Sequence, residues 1–138
     1  MIITQQKEVV GEWVSQHLGK SGIYHYQAIG LEKKGKIVGG VIVDNYRENA
    51  SCSIHCAGIG KHWLNREFLF VVFDYVFRQL NCHVVINPVD SANTESVKFT
   101  SHLGFTESFR IPNGCGNSDL LVFTLRKEQC KWLKRTKT

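Results

Sequence analysis

The stretch that decides the fold is NTESVKFTSHLGF, residues Asn93 to Phe105. Its apolar residues recur at helical spacing, which predicts an amphipathic helix from Asn93 to His102. Asn93 is a favourable N-cap, and Gly104 is typical of the end of a helix. The preceding run HVVINPV, residues His83 to Val89, is short and rich in β-branched residues, as buried strands are. The segment therefore predicts a strand followed by a helix.

The pattern continues on both sides of this segment. Alternating apolar residues indicate strands, and a repeat of 3.6 indicates helices. The other predicted elements are a helix over 5–18, strands over 24–32, 36–45 and 51–57, a long helix over 65–80, and strands over 106–111 and 120–126. Thr4 is the expected N-cap of the first helix and Gly19 its expected end. The order α-β-β-β-α-β-α-β-β predicts an α/β (α+β) fold, a mixed central sheet with helices on both faces.

Length and composition predict one domain. The chain has 138 residues, of which 43% are hydrophobic, and this suffices for a single core. No apolar run approaches the roughly 18 residues that a membrane-spanning helix needs, and the N-terminus lacks the basic-then-apolar plan of a signal peptide. We therefore expect a cytoplasmic protein that does not bind membranes.

The positive charge is concentrated at one end of the chain. The net charge is +5, and residues 126–138 contain six basic residues and one acid, so the rest is formally neutral. A protein that binds nucleic acid through its folded body needs basic residues spread over one face. We expect a domain over 1–132 and a solvated basic tail over 133–138, with no nucleic-acid partner for the body.

The cysteines indicate neither a disulfide framework nor a metal site. Their number is odd, and the five positions are Cys52, Cys56, Cys82, Cys115 and Cys130. Without an export signal, reduced thiols are expected. No C-x-x-C pair occurs, and a strand would direct His55 away from its neighbouring cysteines. We expect no bound metal.

The Asn93 segment resembles a motif of the GCN5-related N-acetyltransferase superfamily, which reads N-x-x-A/S-x-R/K-hydrophobic-x-x-x-L-G-F. The residues in register are Asn93, Ser96, Lys98, Phe99, Leu103, Gly104 and Phe105. A closer resemblance is to short acetyltransferases of phages and prophages, similar to the branch that acetylates ribosomal-protein N-termini. It is carried by Trp63 to Arg66, by FDYVFRQL (73–80) and by LRKEQCKW (125–132).

The resemblance implies a site for acetyl-CoA beside the central helix. Its pyrophosphate would bind the helix N-terminus, where free N–H groups and the helix dipole attract anions. Two registers are open: His55, Gly58 and Gly60 reproduce the superfamily's loop spacing, whereas a helix from Asn65 favours Trp63 to Arg66. The candidate cofactor-binding residues are Cys56, Ala57, Gly58, Gly60, Trp63, Leu64, Asn65, Arg66, Asn93, Ser96, Lys98 and Phe99.

Acetyl transfer to an amine needs a base, an oxyanion site and an acid for the leaving thiolate. His55 is the candidate base, because histidine titrates near neutral pH; Asp44, Glu48 and a water chain are alternatives. Backbone N–H groups over 56–58 would stabilise the oxyanion, and Asn93 would hold pantetheine. Many superfamily members place a Tyr acid seven residues after the Asn. Here that position is Thr100, which leaves solvent, Ser96 or Thr100 as the acid.

The sequence thus predicts an acetyl-CoA-dependent N-acetyltransferase. It would transfer acetyl to a primary amine, of a small molecule or a protein, by direct attack in a ternary complex, and a homodimer is open. One alternative is an inactive CoA-binding or protein-interaction module, suggested by the missing Tyr and the irregular phosphate loop. Another is an RNA- or ribosome-associated protein that uses the basic tail.

Overall fold

A computed structural model describes residues 1–18, 27–59 and 65–134. The strands are β1 (Ile2–Ile3), β2 (Gln27–Lys33), β3 (Lys36–Arg47), β4 (Ser51–Gly58), β5 (Val84–Asp90), β6 (Thr106–Ile111) and β7 (Leu120–Arg126). The helices are α1 (Lys7–Leu18), α2 (Arg66–Asp74) and α3 (Thr94–His102), with 3-10 turns at Lys127–Gln129 and Lys131–Leu133. The predicted order of helices and strands is confirmed, apart from an additional first strand, β1. None of the described helices is long and apolar enough to cross a membrane.

Three details of the predicted elements were wrong. The two-residue β1, which pairs with β2, was not predicted because so short a strand has no periodicity. The first helix begins at Lys7, so Thr4 is not its N-cap. The long central helix ends as an α-helix at Asp74 and continues as a π-helical turn over Tyr75–Gln79. The apolar pattern of the sequence could not show this widening, because Val76 and Phe77 stay buried within the π-helical turn.

The seven strands form one sheet in the order β1-β2-β3-β4-β5-β7-β6. All neighbours are antiparallel except β4 and β5, which are parallel. In the described part of the chain, that parallel ladder consists of the residues Ser51 to Ser53 paired with Val84 to Ile86. Beyond Ser53, β4 continues to Gly58 and β5 to Asp90 without pairing with each other, although β4 stays paired with β3 and β5 with β7. A gap therefore opens inside the sheet.

The two faces of the sheet bury different helices. The larger core contains the apolar side of α2, together with Leu103, Phe105 and the inward residues of β7. A smaller cluster joins Val10 and Val14 of α1 to Ala28 and Ile42. The predicted mixed sheet with helices on both faces is therefore confirmed.

The C-terminal turn belongs to the core. Trp132 is 8% exposed, and its Nε1 donates a hydrogen bond to the Leu103 carbonyl at 2.8 Å. Leu133 is also buried and lies in the large core cluster, although the predicted tail began at this residue. Packing therefore moves the end of the folded body to at least Leu133. Residues 135–138 lie outside the described part of the chain.

Helix α1 lies so close to the sheet that two facing positions are glycine. A Cβ atom on Gly40 would be 2.7 Å from Val14 Cγ2, and one on Gly30 would be 3.0 Å from Val10 Cγ2. We expect Gly40→Ala to lower the free energy of unfolding by about 1–3 kcal/mol, because the methyl group overpacks this contact. Urea denaturation would measure the change. In a Val14→Ala background the cost should shrink; an equal cost in both backgrounds would contradict the close-approach explanation.

Candidate active site

The gap between β4 and β5 opens into a cavity of about 410 Å³. Its described lining comes from β4, β5, α3 and the β6–β7 connection: His55, Cys56, Asn87, Pro88, Val89, Asp90, Asn93, Ser96, Phe99, Thr100, Cys115 and Leu120. Because consecutive strand residues point to opposite faces, the cavity receives side chains from both sides of the sheet. Cys56 and Asn87 face the side of α2 and α3, whereas His55 and Pro88 face the side of α1.

The α1 side of the gap contains a bonded histidine and carboxylate. Ile42 pairs with His55 and Asp44 pairs with Ser53, so Asp44 and His55 are diagonal neighbours on one face. His55 Nε2 lies 3.0 Å from Asp44 Oδ1 and 3.1 Å from Oδ2, and the side chains are 12% and 13% exposed. An ionised carboxylate only accepts hydrogen bonds, so Nε2 donates. The nitrogen that this pair leaves for other partners is Nδ1.

The opposite side of the gap is built from polar groups of β5 and α3. The buried Asn87 Nδ2 donates to Thr100 Oγ1 at 3.1 Å, and Thr100 is 1% exposed. Asn93 caps α3 by accepting a hydrogen bond from Ser96 N at 3.1 Å. Cys56 lies on this wall as well, and burial raises the pKa of its thiol to about 12. This thiol is therefore neutral at physiological pH.

The far end of the gap, beyond Pro88, contains an ionised carboxylate. Asp90 Oδ1 accepts hydrogen bonds from Ala92 N at 2.9 Å and from Ser118 Oγ. These bonds lower the pKa of Asp90, the Ser118 bond having the larger effect. Asp119 N in turn donates to Ser91 Oγ, which ties the β6–β7 connection to the end of β5. Cys115 and Leu120 enter the cavity lining from this connection.

Helix α2 is the next described element of the chain after β4, which ends at Gly58. Asn65 caps it by accepting a hydrogen bond from Phe68 N at 2.7 Å, which leaves Arg66 N and Glu67 N without a helical acceptor. The Arg66 guanidinium donates to the Lys134 carbonyl at 3.3 Å and lies 5.8 Å from the Trp132 ring centroid. Its charge therefore lies between the helix end and the C-terminal turn.

Structures of acetyltransferases share this architecture. One is yncA from Salmonella typhimurium, solved with its cofactor acetyl-CoA; it has TM-score 0.68, 17% identity, and coverage of 100% of this chain and 96% of that chain. Ribosomal-protein-alanine N-acetyltransferase from Brucella melitensis has TM-score 0.69, 14% identity, and coverage of 91% and 99%. The chain has the fold of GCN5-related N-acetyltransferases. Spermidine/spermine N-acetyltransferase SpeG from Vibrio cholerae shares this acetyltransferase fold, with TM-score 0.63, 19% identity, and coverage of 94% and 79%. No family model and no curated protein matches the sequence.

The fold brings six of the fourteen predicted site residues together around the cavity. The cavity is lined by His55, Cys56, Asn93, Ser96, Phe99 and Thr100. Asn65 and Arg66 lie at the N-terminus of α2, Gly58 ends β4, and Lys98 is exposed on α3. Ala57 packs against the α1 cluster instead. Gly60, Trp63 and Leu64, also predicted to bind the cofactor, lie outside the described residues, so the choice between the two phosphate registers stays a prediction.

The alternative bases lie in different places in the acetyltransferase fold. Asp44 bonds to His55 and therefore belongs to the same unit. Glu48 lies in the β3–β4 turn, before the first residue of β4, whereas His55 lies four residues beyond that first residue. At about 3.3 Å per residue, this separates their backbones by more than roughly 13 Å along the strand.

Six lining residues of this cleft were not predicted from the sequence: Asn87, Pro88, Val89, Asp90, Cys115 and Leu120. Asn87 could have been found, because an amide inside the apolar run HVVINPV needs a buried partner. Asp90 directly follows the predicted strand and could have been suspected. Cys115 and Leu120 reach the cavity through the β6–β7 connection, which carries no motif. No group of three or more metal-ligating side chains occurs in the ranges 1–18, 27–59 and 65–134.

Proposed function

We propose that the chain is an acetyl-CoA-dependent N-acetyltransferase that transfers acetyl to a primary amine by direct attack in a ternary complex. The observation that carries this proposal is the gap between β4 and β5, with the Asp44–His55 pair on one side and the α3 wall on the other. Two reactants can approach one another through such a gap from opposite faces of the sheet. The acetyltransferases that share this fold, one of them solved with acetyl-CoA, support the same chemistry.

The residues on the α3 side fit acetyl-CoA. The edge of β4 that faces β5 has no ladder partner in the described chain after Ser53, so its backbone groups are available to the amides of pantetheine. The first N–H groups of α2 would bind the pyrophosphate, and Arg66 lies beside them. Acetyl-CoA, when bound, supplies the activated acetyl thioester. Asn93 and Ser96 would line its path on the α3 wall.

The residues on the α1 side fit a base for the acceptor amine. Asp44 holds the His55 ring through Nε2 and fixes the tautomer, which leaves Nδ1 to accept a proton from the ammonium. The negative charge of Asp44 then stabilises the imidazolium. Backbone N–H groups over 56–58 would stabilise negative charge on the carbonyl oxygen.

A hydroxyl group can serve as the acid in place of tyrosine. Thr100 Oγ1 already accepts from Asn87 Nδ2, so its own O–H is free to donate in another direction. Thr100 and Ser96 both line the cavity and are the two candidates. Solvent entering the cavity is the third source of this proton.

Two measurements on the purified chain test the proposal. Saturating acetyl-CoA should raise the melting temperature by several degrees, because a ligand at about 100 times its Kd stabilises the folded state by roughly 2.7 kcal/mol. A panel of amines should then release free CoA. Stabilisation without CoA release from any amine would favour the inactive CoA-binding module. No stabilisation by acetyl-CoA or desulfo-CoA would contradict both the acetyltransferase and the inactive CoA-binding module.

We also propose the kinship, the cellular location, the acceptor class and the oligomeric state of the chain. Kinship with the short phage and prophage acetyltransferases is supported by the WLNR, FDYVFRQL and LRKEQCKW segments. A cytoplasmic location is proposed as well. The acceptor can be a small molecule or a protein amine, and a homodimer is compatible with β6, an edge strand with exposed Phe109 and Ile111.

A further inference from the structure

The acceptor side of the cavity carries negative charge. Its described lining contains Asp90, and Asp44 lies directly behind His55, whereas none of the described lining residues is lysine or arginine. The nearby Arg110 is bonded to Glu107 and Asp119, which offsets its charge outside the cavity. This part of the cleft therefore attracts cations.

Asp90 has one oxygen to offer a ligand. Oδ1 accepts the bonds from Ser118 Oγ and Ala92 N, and these two anchors hold the carboxylate in place. Oδ2 has no hydrogen-bond partner among the residues that the structure describes. The same two bonds lower the pKa of Asp90, so it is ionised at neutral pH.

The register of the sheet sets the distance from Asp90 to His55. Ser53 and Ile86 form the last pair of the parallel ladder. His55 lies two residues beyond Ser53, and Asp90 lies four residues beyond Ile86 on the same face. The offset along the strands is therefore about 7 Å, to which the widening gap adds. Pro88 lies between them on this face, and Leu120 lies beside Asp90 on the neighbouring strand β7, so the surface next to the carboxylate is apolar.

We propose that the acceptor is a short α,ω-diamine, with one amine at His55 and the other held as an ammonium by Asp90. This inference rests on the proposed acetyl transfer and adds the substrate class. The apolar wall of Pro88 and Leu120 accommodates methylene groups, and an offset of this size matches a chain of about four of them. A monoamine of equal length leaves the Asp90 carboxylate without its cation.

Calorimetric titration of the chain saturated with desulfo-CoA tests the inference through binding, independently of turnover. Putrescine should bind about tenfold more tightly than butylamine, since a charge-assisted hydrogen bond is gained. Asp90→Asn should abolish this preference, because the amide still accepts from Ala92 N and Ser118 but carries no charge. Asp119→Asn is the matched control: it removes a nearby charge that does not line the cavity and should preserve the preference.

The outcomes separate this inference from the proposed function. Equal affinity for the two amines, or no measurable binding of either, would overturn the diamine inference. It would also be overturned if Asp119→Asn lost the preference for putrescine as completely as Asp90→Asn. A putrescine preference that depends on Asp90, without CoA release from acetyl-CoA, would support the diamine site and contradict the transfer reaction. CoA release with equal efficiency from both amines would support the transfer and contradict the diamine site.

Discussion

His55→Ala should lower kcat by roughly 10²–10⁴-fold, the usual contribution of a general base, while acetyl-CoA affinity stays unchanged. His55 lines the cavity on the α1 side, and its Nε2 lies 3.0 Å from Asp44 Oδ1, which holds the ring in place. Steady-state kinetics with a reactive amine would measure kcat, and calorimetry would measure the affinity for acetyl-CoA. Added imidazole should restore part of the lost rate, because a free base can enter the vacated space.

Asp44→Asn is the companion variant. The amide keeps the shape of the side chain but can donate to Nε2, which favours the wrong tautomer of His55. We expect kcat to fall by about tenfold or more, with no rescue by imidazole because the ring is still present. Unchanged turnover in His55→Ala would remove this residue from the mechanism and leave Asp44 or a water chain as the base.

Trp132→Ala should lower the free energy of unfolding by about 3–5 kcal/mol, the usual cost of truncating a buried tryptophan. The ring is 8% exposed, and its Nε1 is bonded to the Leu103 carbonyl just after α3. Lys131 Nζ and Arg66 Cζ lie 4.8 Å and 5.8 Å from its centroid. Chemical denaturation would give the change, and loss of the folded state at ambient temperature would agree with it.

Two further variants separate the causes. Trp132→Phe keeps most of the apolar surface but removes the donor, and it should cost about 1–3 kcal/mol for the unsatisfied Leu103 carbonyl and lost volume. Deletion of 135–138 removes charge without removing Trp132 or Leu133, and stability should change by less than about 0.5 kcal/mol. If that deletion instead abolished salt-sensitive RNA binding, the RNA-associated alternative would gain support.

The fold could be predicted from the sequence because helices and strands leave local residue patterns. The order of helices and strands follows from periodicity, and the closing hairpin, Thr106–Ile111 with Leu120–Arg126, was predicted with its observed bounds. The π-helical turn over Tyr75–Gln79 was not, because it requires a backbone bond from Leu80 N to the Tyr75 carbonyl that no apolar pattern encodes. The predicted tail boundary failed for a related reason, since burial of Leu133 depends on tertiary packing.

The site could be predicted from the sequence only in part, because it depends on the pairing register of the strands. The sequence offered Asp44 and His55 as separate candidates for one role, but the β3–β4 pairing makes them a single hydrogen-bonded unit. Asn87 and Thr100 are thirteen residues apart and meet only because α3 packs against β5. A motif can indicate which residue types a site uses, but it does not state which side chains touch.

The short parallel ladder between β4 and β5 also bears on aggregation. A seven-stranded sheet normally exposes two edges, but the separation of these strands after Ser53 creates two more inside it. Exposed edges are templates on which strands of other chains can pair. Here α3 flanks the opening on one face and the β6–β7 connection lies at its end, and the cavity holds only about 410 Å³. The unpaired backbone therefore lies inside a cavity flanked by α3 and the β6–β7 connection, rather than along an outer edge of the sheet where another chain could pair with it.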